Sequence, residues 1–378
     1  MHLTHAENLP DSPYNAHLIS FEYFLRYFRI INNPISSRRH YRCPDEKLEQ
    51  RSVPTMLSTI LYKYRIQPHR LVRIHRMRNF CNTMSTSSTL NSTASSDFHS
   101  NWASDEVVEK VRVSEAVTKP WASLMIQHSG ITSGDKDAHA LDLACGTGVI
   151  TATIYEMTPN EKWERIKVMG SDLNETMLSQ LTKRAEAGGW PEIETKVMVG
   201  MDPSLPPDTF THAFINMGIY LMSPDTLSIA FNKLGPGGFL GVSSLASIPW
   251  YKWVFDAASR LPNPSNMPPY EDVLNKMFSG QPWAEQQFME KSLREAGFGR
   301  VNIVEEKKRV NCGTPPQCLD MLHMPVKLVA SWWPEEERDN VAKKIETELY
   351  QMFSEELEDG NMWIEMHGFV GCAWKTST

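Results

Sequence analysis

From Ala138 to Trp374, short apolar runs alternate with stretches of helical period, the pattern of a parallel sheet whose strands are joined by crossover helices. The runs predict strands at 140–144, 166–171, 195–199, 209–217, 239–244, 300–308 and 362–374. The helical stretches predict helices at 149–156, 174–187, 224–233 and 285–296. Asn174 is a candidate N-cap, and Gly188-Gly189 and Gly297 are candidate stops. The expected architecture is a doubly wound α/β sheet.

Ahead of the first strand, Val107, Val108, Val111, Val113 and Ala116 form a rough apolar face, with Ser104 as a candidate cap. Pro120 is expected to end or kink that helix, and Trp121–Ile126 to begin another. Such helices would cover the mouth of a site at the sheet edge, with Trp102 as core packing or a stacking surface. Two segments interrupt the alternation. Residues 246–283 hold seven aromatics, among them Trp250, Tyr251, Trp253 and Tyr270. Residues 312–358 hold Trp332-Trp333, Met321, Met324, Met352 and a charged helix at 335–355. Both follow strands, so both can reach the ligand edge as a helical cap or as the wall of an apolar pocket.

The first 97 residues read differently. They carry basic and aromatic clusters without sustained period, and residues 82–97 are too rich in Ser and Thr to bury a core. The segment is expected to be a disordered or non-native extension, with Met84 as an alternative start, or else an organelle-targeting arm. Glu7 and Asp11 near the start speak against the latter. The catalytic domain is then 98–378, with caps at 246–283 and 312–358.

Charge sharpens this division. The chain of 378 residues has a net charge of −7, yet residues 1–83 carry 13 Lys and Arg against 6 Asp and Glu, leaving −14 for the rest. An acidic body argues against nucleic acid as substrate. Six scattered cysteines without a C-x-x-C pair argue against a zinc site or a disulfide framework. No apolar run is long enough for a membrane span. A reduced, cytoplasmic setting fits, with mitochondria open if the leader is real.

The chemistry concentrates at Leu141-Asp142-Leu143-Ala144-Cys145-Gly146-Thr147-Gly148, a strand, a glycine turn and a helix start. Gly146 and Gly148 leave room for a ligand against the backbone, and the helix aims free N–H groups at the same place. Thr151 stands where a dinucleotide turn wants a third small residue, and no Lys follows as in a phosphate loop. Asp142 would repel a pyrophosphate but suits an ammonium group. A second carboxylate, Asp172, ends the next strand 26 residues past Gly146, near the ribose-binding step of doubly wound folds. Cys145 reads as a small packing residue.

The D-x-x-x-G-x-G turn followed by that second acid resembles the S-adenosylmethionine site of class I methyltransferases. Ser171-Asp172-Leu173, Met201-Asp202, Leu234–Gly238 and the segment Phe288–Val301 extend the likeness to fungal small-molecule methyltransferases, the gliotoxin bis-thiomethyltransferase group, over about residues 98–378. The resemblance implies a Rossmann-like, seven-stranded, mostly parallel sheet with an antiparallel last strand. It implies S-adenosylmethionine as cofactor and S-, O- or N-methylation of a bulky, largely apolar secondary metabolite. Asp142, Ala144, Cys145, Gly146 and Gly148 would hold the methionine half. Asp172 would hold the ribose and Met201 and Asp202 the adenine, with Met177 either against the adenine or in plain packing, Leu173 also at the cofactor, and Asn216 at the floor. His212, His323 and His367 are expected to be structural, so no catalytic base stands out, which favours a soft or pre-ionised acceptor. A mitochondrial quinone-ring C-methyltransferase and a non-catalytic cofactor-binding regulator are the alternatives.

Overall fold

The computed structural model describes residues 105–376, apart from 134, 199, 262–265 and 356. The expected leader, Trp102 and the Ser104 cap lie outside these residues.

Seven strands form one sheet in the order β3-β2-β1-β4-β5-β7-β6. They are β1 (Ala138–Leu143), β2 (Ile166–Asp172), β3 (Ile193–Val197), β4 (Phe210–Ile215), β5 (Leu234–Leu245), β6 (Arg300–Gly313) and β7 (Met362–Trp374). The first five run parallel, and β7 enters antiparallel between β5 and β6. The seven-stranded, mostly parallel, doubly wound sheet is therefore as expected. Strands β1 and β2 are largely buried on both faces because helices cover both sides. At the edge, β3 is mostly exposed.

The order of strands reverses between β1 and β4, and a crevice opens there beyond their carboxyl ends. α1 (Asp105–Ser129) lies over it, and α2 (Val149–Met157), α3 (Glu175–Gly188), α4 (Thr226–Lys233) and α7 (Gln286–Glu295) are sheet helices. Asn174 caps α3 by accepting from the N–H groups of Thr176 and Met177, and Gly189 ends it at φ +64°.

Three expectations need correction. Pro120 does not divide its helix: α1 runs unbroken through it. The lost hydrogen bond is tolerated because Trp121, Ala122, Met125 and Ile126 beyond it are all buried in the core. The Leu234–Gly238 turn is part of β5, where a register shift opposite Phe210 and His212 accommodates it. There a Cβ on Gly238 would meet the Gly235 carbonyl oxygen at 2.8 Å. β3 starts and ends two residues earlier than expected, which moves the turn after it.

The segment 246–283 contributes α5 (Trp250–Ala258) and α6 (Tyr270–Met277), and 312–358 contributes α8 (Pro315–Ala330) and α9 (Arg338–Glu355). On α9, Val341, Ala342, Ile345, Leu349, Met352 and Phe353 make one buried face at helical spacing. α8 packs against α1, α5, α6 and α9. Most of the aromatics in these segments are the core of this layer: Trp253 stands edge-on to Phe353, and Phe278 and Trp283 are buried. Among the described residues, no helix is long and apolar enough to cross a membrane.

Candidate functional site

The glycine turn is held by its own backbone. Cys145 N–H donates to the Ser171 carbonyl at 2.9 Å and Gly148 N–H to the Cys145 carbonyl at 2.8 Å. Ala144, a non-glycine residue, sits at φ +53°, and Met217 at the end of β4 sits at φ +55°. Both line the same cavity, so two strained backbone positions border the crevice.

The two glycines play different parts. At Gly146, a Cβ would find only Val111 Cγ1 at 3.8 Å, so the turn is open toward the cavity. At Gly148, a Cβ would lie 2.5 Å from Leu181 Cδ1, and the φ is +89°. Gly148 therefore serves the packing of α3 against the turn rather than ligand approach, a correction to the expectation above. Gly170 offers Leu181 the same clearance from β2, where a Cβ would lie 2.4 Å from it.

Asp142 is buried and its Oδ2 accepts from Thr151 N–H at 3.1 Å and Thr151 Oγ1–H at 2.7 Å. Burial pushes its carboxyl up to about 7, against the pull of the two Thr151 donors. Asp172 is also pushed up by burial, while its Oδ1 accepts from Asn174 N–H at 3.0 Å and its Oδ2 from Gly146 N–H at 2.9 Å. The second acid thus steadies the very turn that the first one heads. Cys145 is buried and its thiol is pushed up by burial, so it is poorly suited to act as a nucleophile.

These groups line a cavity of about 760 Å³ together with Ala144, Leu173, Met177 and Asn216. Asn216 is oriented from both ends: its Nδ2 donates to the Thr118 carbonyl at 3.3 Å, and its Oδ1 accepts from Ser243 Oγ at 2.7 Å. Ser243 Oγ in turn accepts from Met217 N–H at 2.9 Å.

Met201 and Asp202 are not at the cavity. Hydrogen bonds from Ser204, whose N–H lies at 2.8 Å, and from Lys196 Nζ at 2.9 Å hold the Asp202 carboxyl well below the usual range. Met201 is buried in the main core. Because β3 ends early, Met198 and Gly200 take the place by the cavity expected for them.

Sequence reasoning also missed the roof. Val111, Ser114, Glu115 and Thr118 of α1 line the cavity at helical spacing. Glu115 Oε1 accepts from Thr147 Oγ1 at 2.5 Å and from Arg184 Nη1 at 2.7 Å, so α1, the glycine turn and α3 are clasped together. The i, i+3, i+4 and i+7 positions of one face were a usable signal, but the pairing of residues 115 and 184 was not.

A second, apolar cavity of about 150 Å³ adjoins the first. Trp250, Met277, Met321, Met324 and Met366 are among its walls. Val111, Ser114, Thr118, Met217, Tyr220 and Leu221 line both cavities. None of the three histidines lines either one. His212 is pushed down by burial to about 4, His323 Nδ1 faces Lys110 Nζ at 3.0 Å, and His367 pairs with Glu305 at 2.6 Å.

A cationic, sugar-bearing nucleotide fits this donor set: two carboxylates, an open glycine backbone and the apolar side chains of Leu173, Met177 and Met198. The chain is similar to curated fungal proteins. It is 26% identical over 268 residues to methyltransferase tpcH of Aspergillus fumigatus, covering 68% of this chain and 91% of that one. It is 24% identical to the acetylaranotin bis-thiomethyltransferase of Aspergillus terreus, covering 66% of this chain and 86% of that one. It is 25% identical to methyltransferase ktnA of Aspergillus niger, covering 62% and 84%. The model of the ubiE/COQ5 methyltransferase family matches residues 88–312, more than half of the chain. The protein belongs to that family and is a methyltransferase that uses S-adenosylmethionine.

Proposed function

We propose that the protein methylates a small, largely apolar metabolite at sulfur, oxygen or nitrogen, in the cytoplasm. The single observation that carries this is the pair of adjoining cavities, one acid-lined and one apolar, with a wall of six residues in common. S-adenosylmethionine supplies a methyl group already activated on a sulfonium. The chain's part is to align acceptor and methyl carbon, an effect worth up to ~7–11 kcal/mol in well-oriented reactions.

Within this reading, Asp142 faces the cofactor's ammonium group and Gly146 its carboxylate end. Asp172 hydrogen-bonds the ribose while bracing Gly146, and Leu173, Met177 and Met198 flank the adenine. Segments 246–283 and 312–358 cap the acceptor chamber. The acceptor chamber, at about 150 Å³, is smaller than the cofactor cavity at about 760 Å³. A sulfur acceptor has support from the relative named as a bis-thiomethyltransferase and from the fact that, among the described residues, no histidine lines either cavity.

Fungal extract incubated with pure protein and isotope-labelled S-adenosylmethionine, followed by untargeted mass spectrometry, should show label in a small apolar metabolite. Label confined to protein, or absent altogether, would sink the reading. Residues 1–97 fused to a reporter should leave it in the cytosol; import into mitochondria would favour a quinone acceptor instead.

A further inference from the structure

We propose that Tyr220 is a catalytic residue whose neutral hydroxyl donates a hydrogen bond to the ionised acceptor atom where the two cavities meet. The inference rests on reading the smaller cavity as the acceptor chamber.

Tyr220 lies in the short turn Ile219–Leu221 just beyond β4, with its ring against Phe278 at 5.0 Å between centroids. Only 7% of it is exposed, yet it lines both cavities. Its backbone carbonyl is used by Ser279, but its hydroxyl has no protein partner among the described residues. The oxygen is not sealed into the core either, so the space it reaches is the cavity. A phenol hydroxyl that opens into a cavity without a protein partner is available to hydrogen-bond a ligand there.

The other polar groups of the common wall are committed. Ser114 Oγ donates to the Lys110 carbonyl at 3.1 Å, and Thr118 Oγ1 to the Glu115 carbonyl at 3.4 Å. Val111, Met217 and Leu221 bring no polar side chain. The charged groups around the two chambers are Lys110 and Glu115 from α1, Asp142 and Asp172 from the strand ends, and Asp320 from α8. Lys110 faces His323, Glu115 holds Thr147 and Arg184, and the two strand-end acids hold Thr151, Gly146 and Asn174. None of these five stands on the common wall, which leaves Tyr220 as the polar group in position there.

Burial pushes the Tyr220 phenol up, so it keeps its proton and acts as a donor, not a base. A donor in apolar surroundings stabilises an anion and lowers the acceptor's own pKa. The acceptor loses its proton to solvent on ionising. One lone pair then takes the Tyr220 hydrogen bond while another forms the bond to the methyl carbon. The carbon–sulfur bond breaks, its electron pair stays on sulfur, and Tyr220 leaves the step unchanged.

The test uses 4-nitrophenol, whose ionised form absorbs visible light, bound to the protein in the presence of S-adenosylhomocysteine. The bound probe should ionise at a pH about one unit lower on the parent than on Tyr220→Phe. S-adenosylhomocysteine affinity and melting temperature should match between the two, since the ring still packs on Phe278. Equal ionisation on both proteins overturns the proposal, as does failure of the probe to bind beside S-adenosylhomocysteine. A shift with Asp320→Asn but none with Tyr220→Phe overturns it too. The probe titration reads Tyr220 without turnover, so it separates this proposal from the extract experiment.

Discussion

Thr151 gives Asp142 both its donors: the backbone N–H at 3.1 Å and the hydroxyl at 2.7 Å, each to Oδ2. The residue that disqualifies the turn for a dinucleotide is thus the one that seats its carboxylate. Oδ2 is anchored to the first turn of α2, and Asp142 lines the crevice. A small apolar residue at position 151 would keep the backbone donor but remove the hydroxyl, leaving that buried acid with one of its two hydrogen bonds.

Asp142→Asn should separate binding from stability. The amide oxygen can still accept from Thr151, but the charge that meets an ammonium group is gone. S-adenosylmethionine affinity should fall about ten- to a hundredfold, as for loss of a hydrogen bond to a charged group. The melting temperature without ligand should not fall at pH 7. Calorimetry and thermal unfolding check the two halves.

The same carboxyl predicts a pH dependence. Its folded value, about 7, lies above its ordinary value of 3.8, so the folded protein holds a proton that the unfolded chain releases between those two. Its contribution to the stability of the ligand-free protein is therefore fully present below about pH 4 and lost as pH rises through about 7. A bound cation favours the ionised form, so S-adenosylmethionine should bind more tightly as pH rises toward 7, with proton release. Binding heats measured in two buffers of different ionisation enthalpy report that proton, and Asp142→Asn should abolish it.

Asp172→Ala removes the acceptor for Gly146 N–H as well as the proposed ribose contact. Affinity for S-adenosylmethionine should weaken by ~1.5–3 kcal/mol. Unchanged affinity by calorimetry would mean that the ribose lies elsewhere.

Gly148→Ala should destabilise the fold by ~2–4 kcal/mol, from a left-handed backbone and a Cβ driven against Leu181. Adding Leu181→Ala should relieve the packing part and leave the backbone part. A double-mutant cycle by chemical denaturation should show coupling of ~1 kcal/mol or more. Strict additivity would count against the contact.

Two acids on opposite sides of the expectation can be contrasted. Glu115→Gln loosens the clasp between α1, Thr147 and Arg184, so S-adenosylhomocysteine should dissociate about threefold to tenfold faster. Asp202→Ala, whose carboxylate is turned to Lys196 and Ser204, should leave affinity within about twofold. Stopped-flow release and equilibrium titration measure both.

The strand and helix order, the glycine turn, Asp142 and Asp172 were legible in the chain because each depends on local chemistry. Apolar runs and helical spacing define the elements, and the acid-headed glycine bend and the Asn174 cap need only a few neighbouring residues. The roof and the junction were not legible. Glu115 meets Arg184 across 69 residues, and Gly148 meets Leu181 across the space between two elements. Tyr220 faces two cavities only because α1, α8 and the end of β4 converge. A two-residue shift in β3 was enough to exchange Met201 and Asp202 for Met198 and Gly200 at the crevice. Local pattern sets what each segment becomes, whereas contacts between distant segments depend on how the layers pack, and no single stretch of sequence carries that information.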